Sequence, residues 1–258
     1  MLRTDLRLLM DILVTTGLVI NFLLLLYLVR ASRILGTKIS NANRKIVSRS
    51  QLAQELAKSE KQNYQQLESY LQLLSLLDLK RPLPSTRSFA ASPDPLLELI
   101  GIVRRRQPSF VVELGSGIST LVIGKQIDER TRFLSIDDST EFASMTRELL
   151  REHEVGNVDL VVAPLRGEKN WYDINVLEDV KDVDLLFIDG PAQSSSPDAR
   201  HSASFFLERL SPKATVVIDD AKRKSEKRMA LIFASRMPNH VLRFLDHEKG
   251  TAVIEPRA

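Results

Sequence analysis

Two glycines and a handful of carboxylates stand where chemistry could be done. Gly115 and Gly117 lie in the octapeptide Glu113-Leu114-Gly115-Ser116-Gly117-Ile118-Ser119-Thr120, between an apolar run and an amphipathic one. Glycine lets a backbone turn sharply and approach a ligand closely, so the octapeptide suits a strand-to-helix turn that holds a nucleoside or dinucleotide. A dinucleotide fingerprint would carry a third glycine, which this turn, closing on Ser119, lacks. Further on, Asp137 and Asp138 end a second apolar run, where a carboxylate can accept hydrogen bonds from ribose hydroxyls. Asp189 ends a fourth run before Gly190-Pro191, and Asp219 and Asp220 end a fifth. Three such carboxylates at one mouth would be oxygen ligands suited to Mg²⁺, which would polarise a substrate hydroxyl. The plainer reading makes Asp189 a turn residue and Asp220 a helix cap. Arg200 could orient a substrate or pair with Asp189, and His201 beside it could serve as a general base or simply lie on the surface of its helix.

These residues need a scaffold that gathers the ends of several strands. Short apolar runs at 110–114, 132–137, 158–163, 183–189 and 214–219 alternate with amphipathic segments expected to be helical at 120–127, 141–153, 199–210 and 225–236. Nearly continuous apolar strands joined by helices predict a mostly parallel sheet covered on both faces. The last two runs, 240–246 and 250–256, leave no room for a helix between them and predict an antiparallel hairpin. The expected architecture is therefore a Rossmann-like, doubly wound α/β sheet of seven strands. Ligands bind such sheets beyond the carboxyl ends of the strands, where the strand order reverses.

With these motifs in order, the chain resembles the class I S-adenosylmethionine-dependent methyltransferases. ELGSGIST, SIDD, FIDGP and VIDDAKR carry the resemblance, with the approach PLPSTRSFAASPDPL, Pro164, Trp171-Tyr172 and the Ala199-Arg200 helix start. It is most similar to small bacterial members whose fourth strand ends in I-D-G-P and fifth in D-D-A-x-R, and it covers residues 82–256. The resemblance implies that Glu113, Gly115, Ser116, Gly117 and Ser119 hold the methionine moiety and sugar of the cofactor. It also implies that Asp137 binds the ribose hydroxyls, with Asp138 or Ser139 near the adenine and Ala163 to Leu165 beside the ring. On the acceptor side, related O-methyltransferases that use a metal carry acidic residues at the places of Asp189, Asp219 and Asp220, which makes these the expected Mg²⁺ site; Asp189, Arg200 and His201 are the catalytic candidates of this chain's own residues.

The N-terminal region lies outside the resemblance. Residues 12–29 are eighteen in a row without a charge, which as a helix spans about 27 Å, close to a bilayer's hydrocarbon core. The run lacks a polar face, which argues against a buried helix of a soluble domain. It is longer than the core of a cleaved leader and has no following cleavage pattern, so an uncleaved anchor is expected. Arg30, Arg33, Lys38, Arg44, Lys45 and Arg49 follow it, which predicts the N-terminus outside and the C-terminal domain in the cytoplasm. Residues 31–79 are expected to form a helical stalk, 80–95 a Pro-rich linker and 96–258 the catalytic domain. A heptad frame through Ile46, Ala53, Glu60, Leu67 and Leu74, with Leu56, Tyr70 and Leu77, is interrupted by polar residues. It allows a weak homodimer, although a stripe packed on the domain is the plainer reading.

Composition narrows the partners. The 258 residues contain no Cys, which excludes disulfides and a thiol nucleophile, and carry a net charge of +3. That charge divides into +5 over residues 1–80 and −2 over 81–258, so the folded part lacks the basic excess of a nucleic-acid binder. The leading expectation is a membrane-anchored methyltransferase acting on oxygen of a small-molecule, glycan or lipid-linked acceptor. The absence of an N-P-P-Y element at the fourth strand tilts away from nitrogen acceptors. A non-catalytic nucleoside-binding scaffold and a nicotinamide oxidoreductase remain open at this point.

Overall fold

The computed structural model describes residues 2–87, 90–167, 171–192 and 199–257, with side chains outside 2–15, 19 and 41–49. It divides into two compact units, residues 1–61 and 62–258. Helix α1, Leu2–Leu76, begins in the first and ends in the second. The start of the expected span, 12–15, and Ile46, Arg44, Lys45 and Arg49 of the expected stalk have side chains outside the described ones.

In the first unit, Thr16–Ser40 of α1 is long and apolar enough to cross a membrane, and none of its hydrophobic window is buried. In the second unit, Leu73 of α1 and Leu77 just after its end are buried in the domain core, while Leu67 and Leu74 stay exposed. The end of the expected stalk is thus a packed helix of the domain. Gln66 Nε2 donates to Asp94 Oδ2 at 2.6 Å, tying it to the start of helix α2, Pro93–Arg106. Pro93 and Pro95 suit this position, because the first helical turn has no use for their missing N–H.

The sheet is built from β1 (Phe110–Leu114), β2 (Arg132–Asp137), β3 (Asp159–Val162), β6 (Val183–Ile188), β7 (Leu210–Ile218), β8 (His240–Leu245) and β9 (Thr251–Pro256). Their spatial order is β3-β2-β1-β6-β7-β9-β8. The first five run parallel, and β9 pairs antiparallel with both β7 and β8, so the expected closing hairpin is present. Between them lies a two-stranded ribbon that the sequence reading did not anticipate, β4 (Leu165–Arg166) with β5 (Trp171–Tyr172). Two-residue strands are too short to show a period of two.

Side chains alternate between the two sheet faces, as strand geometry requires. Phe110, Val112 and Leu114 of β1 join Leu186 and Ile188 of β6 and Val216 and Ile218 of β7 in one cluster. Val111, Leu185, Phe187 and Val217, the residues between, join the opposite cluster. Helix α3 (Ile118–Gly124) and α2 cover the second face, and α5 (Lys224–Arg236) covers the first through Met229, Ala230 and Phe233. Helix α4, Thr140–Glu152, follows β2, and the Ser139 hydroxyl accepts from Phe142 N at its start. The segment expected as an α-helix over 199–210 is instead a 3-10 helix, Ala199–Glu208. Its burial explains the difference. Arg200, Ala203 and Phe206 are buried at every third position, which a helix of three residues per turn stacks on one side.

Candidate active site

The chain enters the sheet at β1, builds outward through β2 and β3, then crosses to β6 on the other flank of β1. The order therefore reverses between β1 and β6, and the crevice beyond their carboxyl ends is where a ligand binds in such a sheet. Both loops leaving these strands are glycine-bearing because they nearly touch. Asp189 N and Gly190 N both donate to Leu114 O, at 2.9 and 2.6 Å. A Cβ on Gly115, whose φ is +91°, would lie 2.8 Å from Gly190 N. Gly117 differs, since a Cβ there would meet nothing within 4 Å and point into open space.

Buried carboxylates brace this turn from below. Glu113 Oε2 accepts from Thr120 Oγ1 and Ser135 Oγ, each at 2.6 Å, and Thr120 Oγ1 accepts from Gly117 N at 2.9 Å. Burial pushes the Glu113 carboxyl up to about 7, against the hydroxyls of Ser119, Ser135 and Thr120 that lower it. Asp137 Oδ2 accepts from Ser116 N at 2.9 Å and Ser116 Oγ at 2.6 Å, while Oδ1 accepts from Ser139 N at 2.9 Å. Because the Ser116 hydroxyl donates to Asp137, Thr146 must donate to Ser116 across their 3.1 Å contact. Asp137 thus couples the glycine turn to the start of α4. Asp138 is half-buried, and burial followed by the neighbouring Asp137 charge raises its carboxyl above the usual range.

A cavity of about 500 Å³ opens over the turn. It brings together four of the expected residues: Ser116, Gly117, Ser119 and Asp189. The sequence reading missed its other walls. Phe142, Met145, Thr146 and Leu149 come from α4, and Pro84, Ser85, Ala90 and Ala91 from the Pro-rich approach. Phe142, Met145 and Leu149 extend the apolar stripe of α4 beyond its buried residues, and the two exposed ones, Phe142 and Met145, are the signal that could have found this wall. Glu113, Asp137 and Ala163 are buried behind the cavity, with Ala163 N bonded to Asp137 O at 2.8 Å.

The expected Mg²⁺ cluster needs correction. Among the described residues no group of three or more acidic or histidine side chains could hold a metal ion. Arg200 lies between the carboxylates instead. Its Nη1 reaches Asp220 Oδ2 at 3.1 Å, its Nη2 reaches Asp189 Oδ1 at 3.4 Å, and its Nε donates to Pro191 O at 3.0 Å. Arg223 Nη1 takes the same Asp220 oxygen at 2.7 Å. Asp220 holds this place with a left-handed φ of 59°. Asp219 is buried with neither oxygen hydrogen-bonded among the described residues, and burial, then Asp189 and Asp220, hold its carboxyl well above the usual range. Burial raises Asp189 to about 6, with Arg200 opposing and Asp220 adding to the rise. His201 is the second correction. It does not line the cavity, and its Nε2 donates to Ser225 O at 2.8 Å, a structural contact.

Residues 112–221 match the family described as a methyltransferase domain, a segment that contains every one of these site residues from Glu113 to Asp220. No curated protein matches the chain. Among solved structures, an O-methyltransferase from Bacillus cereus in complex with SAH superposes with a TM-score of 0.52 at 16% identity, over 74% of this chain and 90% of that one. A methyltransferase from Geobacter sulfurreducens gives 0.50 at 18% identity, covering 64% and 79%. SAH-bound Podospora anserina methyltransferase gives 0.50 at 18% identity, covering 66% and 81%. The fold is that of Rossmann-like methyltransferases, with a mostly parallel seven-stranded sheet and antiparallel strands at one edge.

Proposed function

We propose that this protein is a membrane-anchored S-adenosylmethionine-dependent methyltransferase that methylates an oxygen of a small-molecule, glycan or lipid-linked acceptor. The observation that carries the reading is the glycine turn of the matched methyltransferase segment, which floors the 500 Å³ cavity at the strand-order reversal. That volume lies within the range of cofactor pockets. The open space above Gly117 and the braced Ser116 fit the close backbone approach a nucleoside-bearing cofactor requires.

Gly115, Ser116, Gly117 and Ser119 would hold the methionine end and sugar, with Asp138 toward the nucleoside; Glu113 and Asp137, expected to touch the cofactor and ribose themselves, are buried against the turn and would instead keep it in shape. S-adenosylmethionine supplies a methyl group already bonded to a sulfonium leaving group. The protein's own work is then to align the acceptor, exclude water and take the acceptor's proton. Glu148, Glu152 and Asp189 are the carboxylates at the cavity wall, and Asp189, at the strand end beside the glycine turn, is assigned that proton. The apolar walls from Phe142, Met145 and Leu149 favour an acceptor with substantial apolar surface. An oxygen acceptor agrees with the O-methyltransferase from Bacillus cereus among the similar structures.

The unburied apolar window in α1 supports the anchor, because the core helix of a soluble protein of that hydropathy would be largely covered. Exposed Leu56, Leu67 and Leu74 support weak self-association along the same helix. Calorimetry on the full chain in detergent tests the central claim. S-adenosylmethionine and S-adenosylhomocysteine should bind, NAD should not, and Gly117→Asp should abolish binding with an unchanged circular dichroism spectrum. Binding of NAD alone would refute the reading. A ¹³C-methyl label should appear at an O-methyl chemical shift in products from membrane extracts.

A further inference from the structure

We propose that Arg200 is the resident cation of the acceptor mouth, a guanidinium that holds the place of a divalent ion and positions Asp189 for the acceptor. The identity of the mouth rests on the methyltransferase reading; the occupancy of the acidic cluster does not. Three acidic side chains converge on this one buried side chain, and a fourth, Asp219, lies next to one of them. Asp189 and Asp220 are within 3.4 and 3.1 Å of its nitrogens, Glu226 is at 3.9 Å, and Asp219 adjoins Asp220 with both oxygens unpartnered among the described residues. Pro191 O fixes the third edge of the fork through Nε. Arginine stays protonated under all ordinary conditions, so the acidic mouth contains a permanent cation without any metal ion.

The same contacts deny a divalent ion its coordination. Mg²⁺ demands near-octahedral oxygens at about 2.0–2.1 Å. Asp220 Oδ2 is already shared by Arg200 and Arg223, and Asp189 Oδ1 faces Arg200. An ion entering among them would sit against two guanidinium groups. Asp189, held through one oxygen, is the member of the cluster that lines the cavity. Arg200 is therefore a positioning residue that acts through Asp189. In the step it supports, the acceptor O–H bond breaks and its proton passes to the Asp189 carboxylate. The oxygen lone pair forms the new O–CH₃ bond as the donor's S–CH₃ bond breaks, leaving a neutral thioether.

Manganese titration followed by electron paramagnetic resonance, on the full chain in detergent, tests this without relying on turnover. The wild-type protein should leave Mn²⁺ free, and methyl transfer should be insensitive to EDTA. Arg200→Met should gain Mn²⁺ affinity by roughly tenfold or more, because the carboxylates lose their counter-charge. Adding Asp219→Asn should remove that gain. Arg200→Lys, which keeps one charge but not the fork, should again leave Mn²⁺ free while lowering kcat more than it raises KM. If Arg200→Met fails to fold, Arg200→Met with Asp220→Asn removes one repelling charge and is titrated in its place. Stoichiometric Mn²⁺ binding by the wild type that Asp219→Asn abolishes overturns the proposal. So does a folded Arg200→Met that binds no Mn²⁺. Calorimetry with S-adenosylmethionine on the same sample keeps the two readings apart, since loss of cofactor binding would sink the methyltransferase reading and leave the manganese result standing.

Discussion

Glu113 has no exposed surface, and its Oε1 has no hydrogen-bond partner among the described residues. Its carboxyl titrates near 7 in the folded chain, against an ordinary value of 4.5, chiefly because burial penalises the charge. The folded protein thus binds this proton more tightly than the unfolded one. The stability it contributes is complete below pH 4.5 and is lost as pH rises through 7. A shift of this size corresponds to about 3 kcal/mol. Glu113→Gln, which is neutral at every pH, should flatten the fall in stability between pH 5 and pH 8 by that order. Urea denaturation at the two pH values measures it, and equal slopes for both proteins would refute a raised Glu113. The residues of this motif were legible because glycine and carboxylate types are rare enough in apolar runs to stand out. Arg200 was legible as a candidate, but its role was not. It depends on β6 and β7 lying side by side, with Ile188 opposite Ile218, which brings residues twenty to thirty apart to one mouth.

At the level of elements, apolar runs and their spacing predicted the strands, because parallel strands buried on both faces are written as unbroken hydrophobic stretches. The walls of the cavity were less legible, since they depend on how the Pro-rich approach is tied down. Arg87, with a left-handed φ of 78°, donates to both oxygens of Glu248, and Lys249 Nζ donates to Ala90 O at 3.0 Å. Glu248 N in turn donates to Asp94 Oδ2 at 2.7 Å. The turn between β8 and β9 thus holds the segment that carries Pro84, Ser85, Ala90 and Ala91 over the cavity. Arg87 and Glu248 are partly exposed, so Arg87→Ala should cost less than about 1 kcal/mol of stability. It should nonetheless weaken cofactor binding several-fold and speed hydrogen exchange across residues 80–91. Unchanged affinity and exchange would show that the proline-rich segment keeps its place without this pair.

For the whole molecule, the decisive contrast is between the two units. The second buries its apolar residues on both faces of a sheet. In the first, Leu18, Ile20, Phe22 and Leu23 through Val29 are exposed among the described residues of that unit. In water such a surface costs roughly 25 cal/mol for each Å² of apolar area, so it needs a lipid environment or a partner. Length favours lipid, because residues 12–29 as a helix match the hydrocarbon core, about 30 Å thick. Charge then sets direction. Arg30, Arg33 and Lys38 follow the span at once, whereas Arg3 and Arg7 before it are offset by Asp5 and Asp11. Cationic flanks stay in the cytoplasm, which predicts that the methyltransferase segment lies on that side. A reporter fused after Ala258 should be active only in the cytoplasm, and the full chain should resist extraction by salt and alkaline carbonate but yield to detergent. Moving the balance by Arg30→Glu, Arg33→Glu and Lys38→Glu should lower the cytoplasmic fraction. Release by salt alone would refute the span, and reporter activity on the far side of the membrane would refute the orientation while leaving the span intact.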